Sequence, residues 1–139
     1  MSTDIAPDLD AVTRLLALRT WAVVGLSDDT SRAAYDVARF LQAHGTRIVP
    51  VHPRAVTVHG EQGYPRLSDV PFPVDVVDCF VRSELVGAVV DDAIAAGASG
   101  IWMQLGVVDE QAAARAREAG LTVVMDRCPK IDWGRYGPA

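Results

Sequence analysis

Residues 21–27 read Trp-Ala-Val-Val-Gly-Leu-Ser, and the pattern of an amphipathic helix begins a few residues later, at Ser31-Arg32. The apolar run is typical of a buried strand, and a strand that turns on a glycine and continues into a helix forms a site for anions. Glycine lacks the Cβ that would obstruct a ligand, and the helix N-terminus offers unpaired N–H groups with positive potential. This stretch therefore indicates the first unit of a nucleotide-binding α/β fold, but it does not identify the nucleotide.

Further short apolar runs along the chain predict four more strands. The runs are continuous rather than alternating, which is the pattern of parallel strands covered by helices on both faces. The five predicted strands lie at 22–24, 48–51, 74–80, 100–105 and 121–125. With right-handed crossovers they predict a Rossmann-like, doubly wound five-stranded parallel sheet in the order 3-2-1-4-5, with the switch point between the first and fourth strands.

Apolar residues spaced three and four apart predict helices between the strands. The residues that mark them are Ala34, Val37, Ala38 and Leu41, then Val86, Val89, Val90, Ala93 and Ile94, and then Ala112, Ala113 and Ala116. Ser83 and Asp109 stand where N-caps are expected, and a glycine ends each helix, at Gly45, Gly97 and Gly120. Residues 67–70 predict a short helical turn.

We expect a single domain over residues 1–139. Leu9, Val12 and Leu16 predict an extra N-terminal helix within residues 1–20 that packs on an edge of the sheet. Residues 130–139 are interpreted as a C-terminal tail, in which Trp133 and Tyr136 either fold back on the domain or dock on a partner. A protein partner or a homo-oligomer is therefore left open.

Composition excludes several classes of function. The chain has 139 residues, half of them hydrophobic, and a formal net charge of −5 without any basic run, so it is not expected to bind nucleic acid through its phosphates. The N-terminus lacks the apolar core of a signal peptide, and the longest uncharged stretch, residues 93–108, is shorter than the ~20 residues of a membrane span. A soluble cytoplasmic protein is expected, with Cys79 and Cys128 as free thiols. No paired ligand spacing indicates a metal.

Candidate binding residues lie at the carboxyl ends of the predicted strands, because open α/β sheets bind their ligands there. The first four strand ends supply Gly25, Leu26, Ser27 and nearby Arg32, then Val51, His52, Pro53 and Arg54, then Phe80, Val81 and Arg82, and then Gln104, Leu105 and Gly106. No catalytic residue is assigned among them.

Two arginines at this edge have alternative interpretations. Arg32 stands at a helix start, where its charge opposes the helix dipole, so it indicates either a ligand phosphate or a surface ion pair with Asp28 or Asp29. At the second strand end, an NAD site would place an acidic residue against the ribose. The chain has Arg54 there instead, which favours a phosphorylated ribose, as in NADP or coenzyme A, unless Arg54 is simply solvated.

Two other functions remain open from the residues alone. One is an NADP-linked oxidoreductase, but the chain lacks the three-glycine motif typical of dinucleotide-binding proteins, since only Gly25 is present. A thiol-redox role would use Cys128, which lies beside two cationic residues, Arg127 and Lys130. Because Pro129 follows directly and no general base is evident, a structural role for Cys128 is favoured.

The chain resembles a known family along most of its length. The resemblance covers residues 21–131, and its most specific parts are Trp102-Met103-Gln104-Leu105-Gly106 and Asp126-Arg127-Cys128-Pro129. On these segments the chain is similar to the small stand-alone bacterial CoA-binding proteins, which share the CoA-binding domain of succinyl-CoA synthetase α subunits. The resemblance implies a Rossmann-like domain that holds coenzyme A or an acyl-CoA along the edge described above.

The resemblance also implies a role for each strand end. Gly25 and Ser27 would meet the diphosphate, and Val51, Pro53 and Arg54 would flank the 3′-phosphate. The third strand end, residues 80–82, would line the adenine or pantetheine path, and residues 104–106 would close the far wall.

The chain departs from the family pattern at three places. His52 replaces an asparagine, Ala33-Ala34 stands where a serine is usual, and Val81 separates Phe80 from Arg82. Larger relatives add a phosphohistidine domain and an ATP-binding domain, for which this chain is too short, so no ligase chemistry of its own is expected.

Overall fold

A computed structural model describes residues 8–138 and contains a sheet of five parallel strands. All neighbouring strand pairs are parallel, as the continuous apolar runs predict. The strands are β1 Thr20–Val24, β2 Arg47–Val51, β3 Val76–Cys79, β4 Gly100–Met103 and β5 Thr122–Val124. The predicted α/β class, with helices on both faces of a five-stranded parallel sheet, is confirmed.

The strands lie in the order β2-β1-β3-β4-β5. β1 is therefore flanked by β2 and β3, and not by the second and fourth strands as in the expected order 3-2-1-4-5. Pro50 explains why β2 is at the edge, since proline has no N–H to donate and is confined to edge strands. The carbonyl oxygen of Pro50 faces outward and accepts a hydrogen bond from Tyr64 N at 3.0 Å. The switch point of this order lies between β1 and β3.

The helices of the described residues match most of the predicted ones. They are α1 Leu9–Leu16, α2 Ala33–Ala43, α3 Ser83–Ala95, α4 Glu110–Glu118 and α5 Pro129–Tyr136, with a 3₁₀ turn at Leu67–Asp69. The predicted helix within residues 1–20 corresponds to α1, while residues 1–7 lie outside the described part of the chain. None of these helices is long and apolar enough to cross a membrane.

The segment interpreted as a C-terminal tail is mostly the helix α5. Pro129 occupies its first turn, where the missing N–H costs no hydrogen bond. Arg127 Nε and Nη2 each donate to an oxygen of Asp132 at 2.8 Å, which fixes the start of the helix. The rings of Trp133 and Tyr136 are half-buried against the core beside α1 and α2, so the aromatic residues fold back on the domain.

The core has two layers, one on each face of the sheet. Trp21, Val23 and Trp102 point toward α1, α2 and α5, and the two indole rings pack with centroids 5.5 Å apart. Ala22, Val77, Ile101 and Met103 point to the opposite face, toward α3 and α4. The carboxyl ends of the strands project beyond both layers.

One of the two predicted helix caps is confirmed and the other is wrong. Asp109 caps α4 by accepting a hydrogen bond from Ala112 N at 3.0 Å. The N-cap of α3 is Arg82, and Ser83 is already helical. The hydroxyl of Ser83 instead donates to Gly106 O at 3.2 Å and accepts from Val108 N at 3.0 Å. Ser83 therefore ties the start of α3 to the loop after β4.

The predicted helix-ending glycines all adopt the left-handed conformation. Their φ angles are +95° at Gly45, +74° at Gly97 and +93° at Gly120, as the sequence pattern predicts.

Candidate functional site

A cleft of about 840 Å³ opens at the carboxyl ends of β1, β2, β3 and β4, between the starts of α2 and α3. It lies where the predicted strand ends converge. The predicted residues that line it are Gly25, Ser27, Arg32, Val51, His52, Pro53, Arg54, Phe80, Val81, Arg82, Gln104 and Leu105.

Two predicted residues do not line the cleft. Leu26 is completely buried and packs in the core layer beneath α2, because the turn after β1 directs its apolar side chain inward. Gly106 has a φ of +81° and donates its N–H to Asp126 Oδ1 at 2.7 Å. Gly106 therefore shapes the loop after β4 without facing the cleft.

The cleft is also lined by residues that the sequence analysis did not predict as binding residues. These are Val24, Asp29, Ala33, Ala34, Pro65, Leu85 and Val107. Ala33, Ala34 and Leu85 belong to the first turns of the helices that follow strand ends. They could therefore have been predicted from the tendency of open α/β sheets to bind ligands at the carboxyl ends of their strands. Pro65 is different, because it reaches the cleft only through the pairing of Tyr64 with the outer edge of β2, which no local pattern reveals.

Gly25 holds the turn after β1 against the end of β3. Its φ is +100°, its N–H donates to Val51 O at 2.8 Å, and a Cβ at this position would overlap the carbonyl oxygen of Phe80. The glycine is thus required by the close approach of two strand ends. Its lack of a side chain brings the tips of β1, β2 and β3 together at the floor of the cleft.

The N-terminus of α2 faces the cleft without a side-chain cap. Its N-cap is Arg32, whose side chain makes no capping hydrogen bond, and the next two residues, Ala33 and Ala34, line the cleft. The first-turn N–H groups of an uncapped helix, together with the helix dipole, favour an anion. Two alanines in place of larger side chains leave these backbone groups accessible.

Both candidate phosphate-binding arginines are paired with aspartates of the turn between β1 and α2. Arg54 Nη2 lies 2.8 Å from Asp28 Oδ1, and Arg32 Nε lies 3.7 Å from Asp29 Oδ2. Arg32 thus makes the predicted ion pair with Asp29. Arg54 is ion-paired rather than simply solvated. All four side chains are exposed, so these pairs are weak and exchange readily with another anion.

Asp29 is held in its ionised form. Two hydrogen bonds from Ser31, from its hydroxyl at 2.6 Å and its backbone N–H at 3.0 Å, lower the pKa of Asp29, and the charges of Arg32 and Arg54 lower it further. The turn therefore carries a fixed negative charge next to the two arginines.

A buried carboxyl group lies under the cleft. Asp78 is completely buried in β3, and its Oδ1 accepts a hydrogen bond from Gln104 Nε2 at 2.6 Å. Its other oxygen, Oδ2, has no hydrogen-bond partner among the described residues. Burial raises the pKa of Asp78 to about 8, only partly offset by the hydrogen bond from Gln104. Gln104 lines the cleft, so Asp78 fixes the orientation of a side chain that a ligand would meet.

Neither cysteine lines the cleft. Cys128 is half-buried at the N-cap of α5 and packs against the core layer on that face. Cys79 is completely buried, and burial, followed by the neighbouring Asp78 charge, raises its pKa well above the usual value. Within residues 8–138 no group of three or more His, Cys, Asp or Glu side chains is placed to hold a metal ion.

Comparison with known proteins gives a consistent set of relatives. A family model described as a CoA binding domain matches residues 19–134. The uncharacterized protein YneT of Bacillus subtilis is 36% identical over 110 residues, which cover 79% of this chain and 82% of that protein.

Solved structures agree with this match. A hypothetical protein from Pyrococcus horikoshii superposes with a TM-score of 0.88 at 31% identity, covering 97% of this chain and 99% of that chain. The apo form of a dinucleotide-forming acetyl-coenzyme A synthetase from Candidatus Korarchaeum cryptofilum superposes with a TM-score of 0.72 at 29% identity, covering 83% of this chain but only 28% of that chain.

Proposed function

This chain belongs to the CoA-binding domain family, and on that premise we propose that it binds coenzyme A or an acyl-CoA in the cleft at the carboxyl edge of its sheet. One observation carries the proposal. The cleft joins an uncapped helix N-terminus to three exposed arginines, Arg32, Arg54 and Arg82. That combination of donors suits the diphosphate and the 3′-phosphate of coenzyme A.

The order of the strands suggests how the ligand lies. Arg54 follows β2 and the start of α2 follows β1, whereas Leu105 follows β4. Because neighbouring strands are about 4.8 Å apart, the tips of β2 and β4 are separated by roughly 14 Å across three spacings. We place the 3′-phosphate near Arg54, the diphosphate at Arg32 and the start of α2, and the pantetheine arm over Phe80 toward Gln104.

Binding is proposed without ligase chemistry. The acetyl-coenzyme A synthetase that shares this fold is matched over only 28% of its length, so most of that enzyme has no counterpart in the comparison. We assign no catalytic residue in the cleft. Its lining supplies backbone N–H groups, three arginines, the polar side chains of Ser27, His52 and Gln104, and apolar walls, together with one acidic side chain, Asp29.

Isothermal titration calorimetry with coenzyme A, dephospho-coenzyme A and NADPH tests the proposal. Coenzyme A is expected to bind most tightly, and dephospho-coenzyme A more weakly because it lacks the group assigned to Arg54. Stronger binding of NADPH than of coenzyme A would favour a dinucleotide-dependent oxidoreductase instead. No binding of either coenzyme A form would overturn the proposal.

The thiol alternative has its own test. Mass spectrometry after incubation with coenzyme A disulfide would detect a mixed disulfide at Cys128, and Cys128→Ser serves as the control. We expect no adduct under native conditions, because Cys128 is half-buried and lies outside the cleft.

A further inference from the structure

We propose that the end of the cleft beyond Gln104 binds the acyl chain of a CoA thioester, so that the protein prefers acyl-CoA with an apolar acyl group over free coenzyme A. This inference rests on the proposed function and specifies its ligand class. It comes from a group of exposed apolar side chains at one end of the cleft.

The exposed apolar side chains are concentrated near the tips of β3 and β4. Leu85 is 50% exposed and Leu105 is 59% exposed, and both line the cleft together with Val81 and Val107. Large apolar side chains with this exposure are costly to hydrate, and a contiguous group of them marks a binding surface. Among the arginines that line the same cleft, Arg54 follows β2 and Arg32 precedes α2, whereas Arg82 follows β3 next to Val81.

Hydrogen bonds hold this apolar end in place. The Ser83 hydroxyl bonds to Gly106 O and to Val108 N, and Gly106 N bonds to Asp126 Oδ1. Leu105 precedes Gly106 directly and Leu85 lies two residues after Ser83. The two leucines are therefore on neighbouring segments that are fixed to each other, so a ligand meets a formed apolar surface and need not order a loose loop.

The chemistry of the cleft indicates which group occupies this end. A coenzyme A molecule whose 3′-phosphate is near Arg54 extends its pantetheine arm past β3 toward β4, and its thiol is the last atom of that arm. An acyl group attached there as a thioester continues in the same direction and meets Leu85, Leu105 and Val107. Free coenzyme A would leave Leu85 and Leu105 exposed to water.

The test is a calorimetric series of coenzyme A, acetyl-CoA, butyryl-CoA and octanoyl-CoA. Affinity is expected to rise along the series, with roughly a three- to tenfold gain from acetyl-CoA to butyryl-CoA for partial burial of two methylenes. The quantity compared between variants is the ratio of octanoyl-CoA to coenzyme A affinity. In Leu105→Ser and Leu85→Ser this ratio is expected to fall by about tenfold or more.

Ile131→Ser is the matched control. Ile131 is an equally apolar side chain, 70% exposed on α5, and it does not line the cleft, so the ratio should not change. Equal affinity for all four ligands would overturn the acyl inference while leaving coenzyme A binding intact. A chain-length gain that survives both leucine variants, or that falls equally in Ile131→Ser, would overturn it as well. No binding of any member would instead reject the proposed function itself.

Discussion

A Cβ at Gly25 would overlap the carbonyl oxygen of Phe80, so the ends of β1 and β3 approach each other only because residue 25 has no side chain. This contact sets the floor of the cleft, since the turn after β1 and the end of β3 both contribute to it. It also lies at the switch point between β1 and β3, where doubly wound sheets bind their ligands.

Gly25→Ala is expected to lower the free energy of unfolding by about 2–4 kcal/mol, because it adds this overlap to the strain of a φ of +100°. Gly45→Ala isolates the strain, since Gly45 has a φ of +95° and nothing lies within 4 Å of an added Cβ. It should cost only about 1 kcal/mol. Urea denaturation measures the free energy of unfolding of both variants. If both lost the same amount, the overlap with the Phe80 carbonyl would not contribute to the cost of Gly25→Ala.

Arg32 is predicted to contact the diphosphate, which coenzyme A and dephospho-coenzyme A share. Arg32→Ala should therefore weaken the binding of both ligands alike, by about 1–3 kcal/mol, from the loss of charge-assisted hydrogen bonds. Arg39→Ala is the matched control. Arg39 lies on α2, whose N-cap is Arg32, and it is also paired with an aspartate three residues earlier, at 3.1 Å, but it does not line the cleft. An equal loss in Arg39→Ala would mean that Arg32 acts only through overall charge.

Arg54 is predicted to contact the 3′-phosphate. Arg54→Ala should weaken coenzyme A by about 1–3 kcal/mol while leaving dephospho-coenzyme A nearly unchanged. Arg66→Ala is the control, since Arg66 is an exposed arginine paired with Asp69 at 3.4 Å outside the cleft. Calorimetry measures the affinity of each variant for coenzyme A and for dephospho-coenzyme A. If Arg54→Ala lost the same affinity for both ligands, Arg54 would not contact the 3′-phosphate.

Asp28 competes with the ligand for Arg54, because the two side chains form an exposed ion pair at 2.8 Å. Asp28→Asn should therefore tighten coenzyme A binding, by no more than about 1 kcal/mol, since exposed pairs are weak. Asp69→Asn, which releases Arg66 instead, should leave the affinity unchanged. Weaker binding in Asp28→Asn would indicate that the aspartate positions Arg54 for the ligand.

Much of this architecture could be predicted from local patterns. The continuous apolar runs locate all five strands, and the apolar spacing locates α2, α3 and α4. Because open α/β sheets bind their ligands at the carboxyl ends of their parallel strands, the residues that follow the predicted strands include most of those that line the cleft. Leu26 is an exception, since an apolar residue in a ligand-binding turn points either to the core or to the ligand, and sequence does not separate the two.

The strand order could also have been inferred, but the expected order overlooked one residue. Pro50 lies in the middle of an apolar run and lacks an N–H, which argues for an edge strand, and β2 is at the edge in the structure. The role of Ser83 could not have been inferred, because its partners Gly106 and Val108 are more than twenty residues away in sequence. The same holds for Pro65, which is placed by the contact of Tyr64 with β2.

Asp78 makes the stability of the fold depend on pH. Its pKa is raised to about 8 by burial, whereas an aspartate in the unfolded chain has a pKa of about 3.9. Between these two values the folded chain binds one more proton than the unfolded chain. The contribution of Asp78 to the free energy of unfolding is therefore largest below pH 4, falls as the pH rises toward 8, and is constant above it.

Asp78→Asn should remove this slope and raise the free energy of unfolding at pH 7.5 by roughly 1–3 kcal/mol, because a neutral amide is cheaper to bury than an ionisable carboxyl group. Asparagine retains an oxygen that can accept the hydrogen bond from Gln104 Nε2. Urea denaturation from pH 5 to pH 9 measures the effect, and Asp69→Asn, at a surface ion pair, should retain the slope. If Asp78→Asn and the parent chain lose stability in parallel as the pH rises, another group is responsible for the pH dependence.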